Sequence, residues 1–592
     1  MNKRMAARLI ITAVYGLLLT NAFAQKLTWY NPVKNDFTVI EGQGWPKEVA
    51  APYDRFPARA EKTVNPNVWN ISHSSAGLYI KFKTNANAIS IRYVINGMQS
   101  MTHMPATGVS GIDLYALDPN GKWIWAPGHH TMGDTSEYHF NGLVISTEFP
   151  NRDYEYRLYL PLYTAVSWLS IGVAPNSSFS FMPLSPEKPI IVYGTSIAQG
   201  ACASRPGMAW TNLLQQRLDR PLINLGFSGS GKLEQPVIDL MAEIDARLYI
   251  LDCLPNLTMY AGCTPQELES RILAAVKTLK EKRPQTPILL SEHSSDGNSM
   301  IADTGAWHDA DNASRVLQST FHKMKAAGIT GIYLLSNTGM KLSMNTTVDG
   351  VHFNDAGMVE YACANEKMVR FILEEPAARL PTTTPVVQSR DGYYNWRNRH
   401  QEIITGNKTK APRIVFFGNS IIHYWGGLPA APLSRGAGSW NRYLEPAGVG
   451  NFAFGWDRIE NILWRVYHDE LDGFRAEQVW IMAGTNNLGI NSDSEIIAGL
   501  KQLVTAVTIR QPKARIVLYG LLPRRAMEQR VVALNARIAM LAASLKVSFG
   551  NPGTILLNKN KKINELLFED GLHPNATGYD KLVLTIKPFL KY

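Results

Sequence analysis

Cysteine is scarce in this chain: four residues in 592, Cys202, Cys253, Cys263 and Cys363. So few exclude a disulfide-dense scaffold, and none has the spacing of a metal ligand. A bridge between Cys202 and Cys253 and buried free thiols are equally open readings. Charge of one sign is also wanting. Lys and Arg total 59 against 49 Asp and Glu, a formal net charge of +10. The basic residues are scattered singly, so no nucleic-acid partner is expected. Long hydrophobic runs are missing beyond residue 19, which leaves no membrane span. The one apolar stretch, Leu9 to Leu19, comes after Lys3, Arg4 and Arg8 and precedes Ala22-Phe23-Ala24. That order predicts a secretory signal over residues 1–24 and an exported chain, periplasmic or secreted. No cysteine lies just after the stretch, so a lipid anchor has no support.

The remaining sequence falls into blocks. Residues 25–185 carry short alternating runs, such as Ile89-Ser90-Ile91-Arg92-Tyr93-Val94, between Gly, Asn and Pro turns. That pattern predicts a β-sandwich with no helix. From residue 186 to 375 strands and helices alternate. Strands are expected at Ile190–Tyr193, Leu222–Leu225, Leu248–Leu251, Ile288–Ser291 and Ile332–Leu335, with helices at Met208–Leu218, Pro265–Lys282 and Ser314–Ala327. Residues 376–410 read as a linker and lead-in helix. Pro376, Pro381, Pro385 and three successive threonines suggest a tether that lets the C-terminal block sit apart. The α/β pattern restarts over 411–592, with strands at Ile414–Phe417, Val479–Met482 and Ile516–Tyr519 and helices at Ser494–Arg510 and Gln529–Ser544. The fold class is therefore α/β: two parallel-sheet modules covered by helices on both faces, preceded by a β-sandwich.

Each α/β module carries the same sparse signature in the same order. Gly194-Thr195-Ser196-Ile197 is matched downstream by Asp349-Gly350-Val351-His352, and Gly418-Asn419-Ser420-Ile421 by Asp570-Gly571-Leu572-His573. Ser196 and Asp349 are 349 − 196 = 153 residues apart, and Ser420 and Asp570 are 570 − 420 = 150. A serine hydroxyl becomes a nucleophile when an imidazole takes its proton and a carboxylate orients that imidazole. Fixed donors must then hold the oxyanion. The candidates are Gly229 and Asn256 in the first module and Gly455, Trp456 and Asn486 in the second. Either motif alone would read as an ordinary turn, with Gly350 and Gly571 needed only for backbone geometry. Their joint, ordered, duplicated occurrence points to ester hydrolysis. His423 is expected at a pocket rim, and His103, His129 and His130 at the surface or in the core. Trp396, Arg399 and His400 should pack a helix ahead of the second module.

Both modules resemble the SGNH (GDSL-type) hydrolase superfamily, named for the serine, glycine, asparagine and histidine quoted above. The second is similar to its platelet-activating-factor acetylhydrolase-like branch, through Gly418–Ile421, Asp457…Leu463-Trp464-Arg465, Gly484–Asn487 and Asp570–His573. Residues 26–185 resemble the small β domain of some bacterial SGNH esterases, through Glu41-Gly42-Gln43-Gly44-Trp45 and Gly111-Ile112-Asp113-Leu114-Tyr115. The resemblance implies a three-layer flavodoxin-like fold for each module and acyl-enzyme chemistry without metal or cofactor. There are two departures. Thr195 and Asn419 replace the family's aspartate before the nucleophile, and Trp456 stands where the oxyanion glycine is expected.

These readings converge on an exported carboxylester hydrolase with acylated carbohydrate, acetate first, as its substrate. A lipid esterase or lysophospholipase is the rival among enzymes. A glycan-binding protein with one inactive hydrolase module is the rival outside them. The β domain runs into the first module without a tether, so it should pack there and border the Ser196 cleft, around Gly108–Tyr115. Sequence leaves the oligomeric state open.

Overall fold

The computed structural model describes residues 26–145, 152–294, 304–340, 342–388, 390 and 393–591. The expected signal lies outside these residues, and no helix among them is long and apolar enough to cross a membrane.

Alternation builds the N-terminal domain. In strand Ala88–Asn96, Ile89, Ile91 and Tyr93 turn inward while Arg92 faces out. The inward set meets Ile80, Phe82, Leu114 and Leu158 of a second antiparallel sheet in one apolar core, which makes the domain a β-sandwich. The expectation of no helix here is corrected. Pro66–Ser72 is helical, opened by Asn65, whose side chain accepts from Asn67 N–H, and by Pro66 at the first position. Seven residues are too few for a helical period to show.

The first module is a parallel sheet ordered Leu222–Gly226, Ile190–Gly194, Leu248–Asp252, Ile288–Ser291, Ile332–Leu335. The second is ordered Val449–Ala453, Ile414–Gly418, Gln478–Met482, Arg515–Tyr519, Ser548–Gly550. In chain order each reads 2-1-3-4-5, the flavodoxin-like arrangement. Helices cover both faces, so every residue of each leading strand is buried and the runs are uniformly apolar. Pro265–Lys282 contributes Leu268, Ile272 and Val276 to one face of the first sheet; Asp355–Ile372 contributes Met358 and Tyr361 to the other. The strand Val449–Ala453 escapes a reading by apolar runs because Gly450 and Asn451 interrupt it. All four cysteines are free.

The second module does not sit apart, contrary to the tether reading. The segment after Pro376 is bonded to the second module at several points: Thr382 Oγ1 donates to Glu495 O at 2.7 Å, and Asn461 Nδ2 to Val386 O at 2.9 Å. A Cβ at Gly121 of the β domain would lie 2.3 Å from Val387 O. Charges then close the joint. Arg397 donates to Glu155 of the β domain at 2.7 Å and to Asp219 of the first module at 3.2 Å, and Arg157 pairs with the same Asp219. Arg220 reaches Glu375 and the carbonyl of Tyr467, and Arg247 pairs with Asp469 and Asp472. Composition suggests a free linker; instead the Thr382 hydroxyl and the carbonyls of Thr383 and Val386 are bonded to the second module, while the Thr383 and Thr384 hydroxyls close back on Leu380 O.

Candidate active sites

Each serine begins a short helix at the carboxyl edge of its sheet, Ser196–Gln199 and Ser420–His423. The residues standing in for the family aspartate cap those helices. Thr195 Oγ1 accepts from Ile197 N–H at 3.3 Å and Asn419 Oδ1 from Ile421 N–H at 3.0 Å. Either side chain supplies the oxygen that the turn requires. Each Asp-Gly-x-His segment then arrives from the far end of its module, with Gly350 and Gly571 at positive φ.

The six residues meet as two triads. Ser196 Oγ lies 2.8 Å from His352 Nε2, and His352 Nδ1 lies 2.7 Å from Asp349 Oδ2. Ser420 Oγ lies 2.8 Å from His573 Nε2, and His573 Nδ1 lies 2.6 Å from Asp570 Oδ2. The second oxygen of each aspartate is held by two backbone N–H groups, those of Val351 and His352 and those of Leu572 and His573. Burial would raise both carboxyl pKa values, but the histidine contacts and these amides outweigh it, and Asp570 is brought down to about 2. His573 lies below the usual imidazole value because burial outweighs the attraction of Asp570. A neutral Nε2 accepts the serine proton, so depressing the pKa keeps the base competent at lower pH. In a Ser196→Ala background, the acidic limb of kcat/KM should have its midpoint below 6.5, the ordinary value for histidine. A midpoint above it would contradict this electrostatic setting.

The oxyanion loops are also built in parallel. Gly229 has φ +66° and Trp456 φ +64°, both left-handed. The asparagine amide of each module binds the next carbonyl: Asn256 Nδ2 that of Ser230, and Asn486 Nδ2 that of Asp457 at 3.0 Å. The preceding N–H is tied to the side chain three residues past the triad serine. Ser228 N–H donates to Gln199 Oε1 at 2.9 Å, and Gly455 N–H to His423 Nδ1 at 3.1 Å. Gly455 is therefore not an oxyanion donor, which corrects the sequence reading; its N–H is consumed, and that of Trp456 remains. His423 is corrected as well, being 1% exposed instead of at a rim. Burial, then Arg399 and Arg465, push its pKa down to about 2, so Nδ1 stays an acceptor. The remaining donors are Gly229 N–H with Asn256, and Trp456 N–H with Asn486, each amide keeping a second hydrogen. Asn256→Ala and Asn486→Ala should each lower kcat at their own site by roughly 10²–10³-fold with a smaller change in KM. Equal losses in a serine-mutant background would expose the wrong assignment.

Asp457 anchors the Trp456 loop from below, accepting from Trp396 Nε1 at 2.8 Å and Arg465 Nε at 3.0 Å. Helix Trp396–Thr409 is thus packed by the residues expected to pack it, with Arg399 donating to Ala453 O and His400 bonded to Glu470. A cavity of about 540 Å³ opens over Ser420, walled by Tyr393, Tyr424, Leu433, Trp456 and Leu572. At Ser196 the β domain supplies the border. Thr107 Oγ1 donates to Ser204 O at 2.7 Å, Asp113 accepts from Gly207 N–H and Arg205, and Tyr163 OH donates to Ser196 O at 3.5 Å. The His103 and His352 rings lie 6.0 Å apart. Tyr163, His103, Tyr393 and Leu433 carry no local signal in the sequence, because only folding brings them to their serines. Among the described residues, no three His, Cys, Asp or Glu side chains gather to hold a metal.

Residues 187–370 and 416–581 each match a model of the GDSL-like Lipase/Acylhydrolase family, and 27–179 match one described as the "N-terminus of Esterase_SGNH_hydro-type". Platelet-activating factor acetylhydrolase IB subunit alpha1 of Bos taurus is 30% identical over 211 residues, 35% of this chain and 85% of the relative. Its alpha2 counterpart in Homo sapiens is 30% identical over 173 residues, 29% of this chain and 68% of the relative. A crystal structure described as a GDSL-like lipase from Bacteroides ovatus superposes with a TM-score of 0.53 at 28% identity, covering 59% of this chain and 98% of that one. With two serine–histidine–aspartate sets on two flavodoxin-like sheets, the chain belongs to the SGNH/GDSL-like lipase/acylhydrolase family of esterases and acylhydrolases.

Proposed function

We propose that this chain is an exported serine carboxylester hydrolase, a carbohydrate O-acetylesterase with two working sites. The observation that carries the reading is the duplicated triad, with serine–imidazole and imidazole–carboxylate contacts of 2.6–2.8 Å at both sheets. In each module Ser Oγ gives its proton to histidine Nε2 and attacks the ester carbonyl carbon. The resulting oxyanion is held by the Gly229 or Trp456 N–H and by the Asn256 or Asn486 amide. The same histidine protonates the departing alcohol, and water repeats the sequence to free the acid and the serine. Every proton transfer uses groups of this chain.

Export is supported by the N-terminal pattern of the sequence, and acetate by the acetylhydrolase relatives. Carbohydrate is supported by aromatic side chains around Ser420 and by the β domain bordering Ser196. Proposed units are 25–185, 186–375 and 411–592. The apolar residues Leu433 and Leu572 in the Ser420 cavity favour lipid ester as the second reading. Acetate release from acetylated oligosaccharides, compared with hydrolysis of long-chain acyl esters, separates the two. Preference for the long chains would overturn the carbohydrate assignment and leave the triads standing.

A further inference from the structure

The two sites share one oxyanion-loop backbone and differ in what it carries. At Gly229 an added Cβ would meet nothing within 4 Å. At Trp456 the same left-handed backbone bears an indole that lines the Ser420 cavity and is 49% exposed. This tryptophan has no evident return in folding. A non-glycine residue at positive φ is disfavoured, and half of a large apolar ring is left in water. The loop is already fixed without the indole, through His423, Asn486, Gln388, Trp396 and Arg465. Tyr393, 81% exposed, lines the same cavity. Two exposed aromatic rings beside a nucleophile form a surface for the apolar C–H face of a sugar ring, whose hydroxyls stay in water.

We infer that Trp456 and Tyr393 form a sugar-stacking platform at the second site, making Ser420 selective for esters whose alcohol is a pyranose. The first site lacks the equivalent of the indole and accepts bulkier or non-planar alcohols. This rests on the proposed esterase reading and assigns the two modules different acceptors. The alcohol, not the acyl group, is the part selected, since both rings stand largely in solvent on the cavity wall, beside Leu433 at 44% exposed.

The test uses the full chain carrying Ser196→Ala, so that only Ser420 works. Acetate release is measured in a pH-stat from an acetylated xylo-oligosaccharide and from ethyl acetate, whose alcohol cannot stack. The readout is the ratio of the two kcat/KM values. Trp456→Gly keeps the backbone conformation and should lower that ratio ten-fold or more, chiefly through KM for the sugar ester. Tyr393→Ala should lower it in the same direction, and Trp456→Phe should restore most of it. In the reciprocal Ser420→Ala background, Gly229→Trp should raise the ratio at Ser196. An unchanged ratio in Trp456→Gly, or equal losses on both esters, would overturn the platform. Acetate release persisting in Ser196→Ala/Ser420→Ala would instead strike the esterase reading itself, so the two failures are distinguishable.

Discussion

Ser196→Ala and Ser420→Ala should each abolish one of two separable hydrolytic activities, and the double mutant should lose roughly 10⁴-fold or more of the total. The expectation comes from geometry. Each serine has its own imidazole at 2.8 Å, its own aspartate behind that imidazole, and its own asparagine amide. The sites stand on different sheets, so neither histidine can serve the other serine. Single mutants assayed on a panel of acetylated glycans and simple esters should give two complementary profiles that add to the wild type. If one single mutant kept the entire profile and the other none, one module would be a scaffold. Wild-type turnover by the double mutant would remove both assignments.

Replacing Arg397 by Met should destabilise the molecule by about 3–5 kcal/mol, because it leaves two buried carboxylates, Glu155 and Asp219, sharing one arginine, Arg157, with Lys83 near Glu155 alone. Burial alone would raise both carboxyl pKa values, but Arg397 and Arg157 outweigh it and hold them below their ordinary values. The stabilisation is therefore present above the ordinary carboxylate range, near pH 4, and is lost as pH falls through the lower folded values. Thermal unfolding of wild type and Arg397→Met at neutral pH, and again near pH 3, should show a gap that narrows in acid. A gap of the same size at both would mean that Arg397 acts through packing alone. Deleting residues 26–185 would remove Glu155, the Gly121 contact and the Thr107 and Asp113 anchors together. It should lower the stability of both modules, whereas a freely tethered second module would be spared.

The two modules, all the strand runs of the first and three of the five in the second, and the six residues that meet as triads can be picked out from the residues alone, whereas Val449–Ala453 and Ser548–Gly550 cannot. Uniformly apolar runs are what a doubly covered parallel sheet demands, and a nucleophile, base and orienting acid must each be a specific residue type. Thr195 and Asn419 can stand where the family has aspartate because a cap needs only a side-chain oxygen. Other features exist only once the chain has folded. Gly455 and Trp456 look equivalent as donors in sequence, and only the bond from Gly455 to His423 shows which N–H is occupied. The segment from Pro376 to Arg390 has a tether's composition, yet its contacts with Glu495, Asn461 and Asn120 bind it to its neighbours. Arg397, Glu155 and Asp219 lie far apart along the chain, and no local pattern marks them as partners. Periodicity and motifs report what a segment does to itself. Which buried charges meet, which amide stays free and which aromatic ring faces the nucleophile depend on the docking of whole domains, a property of surfaces that no single segment carries.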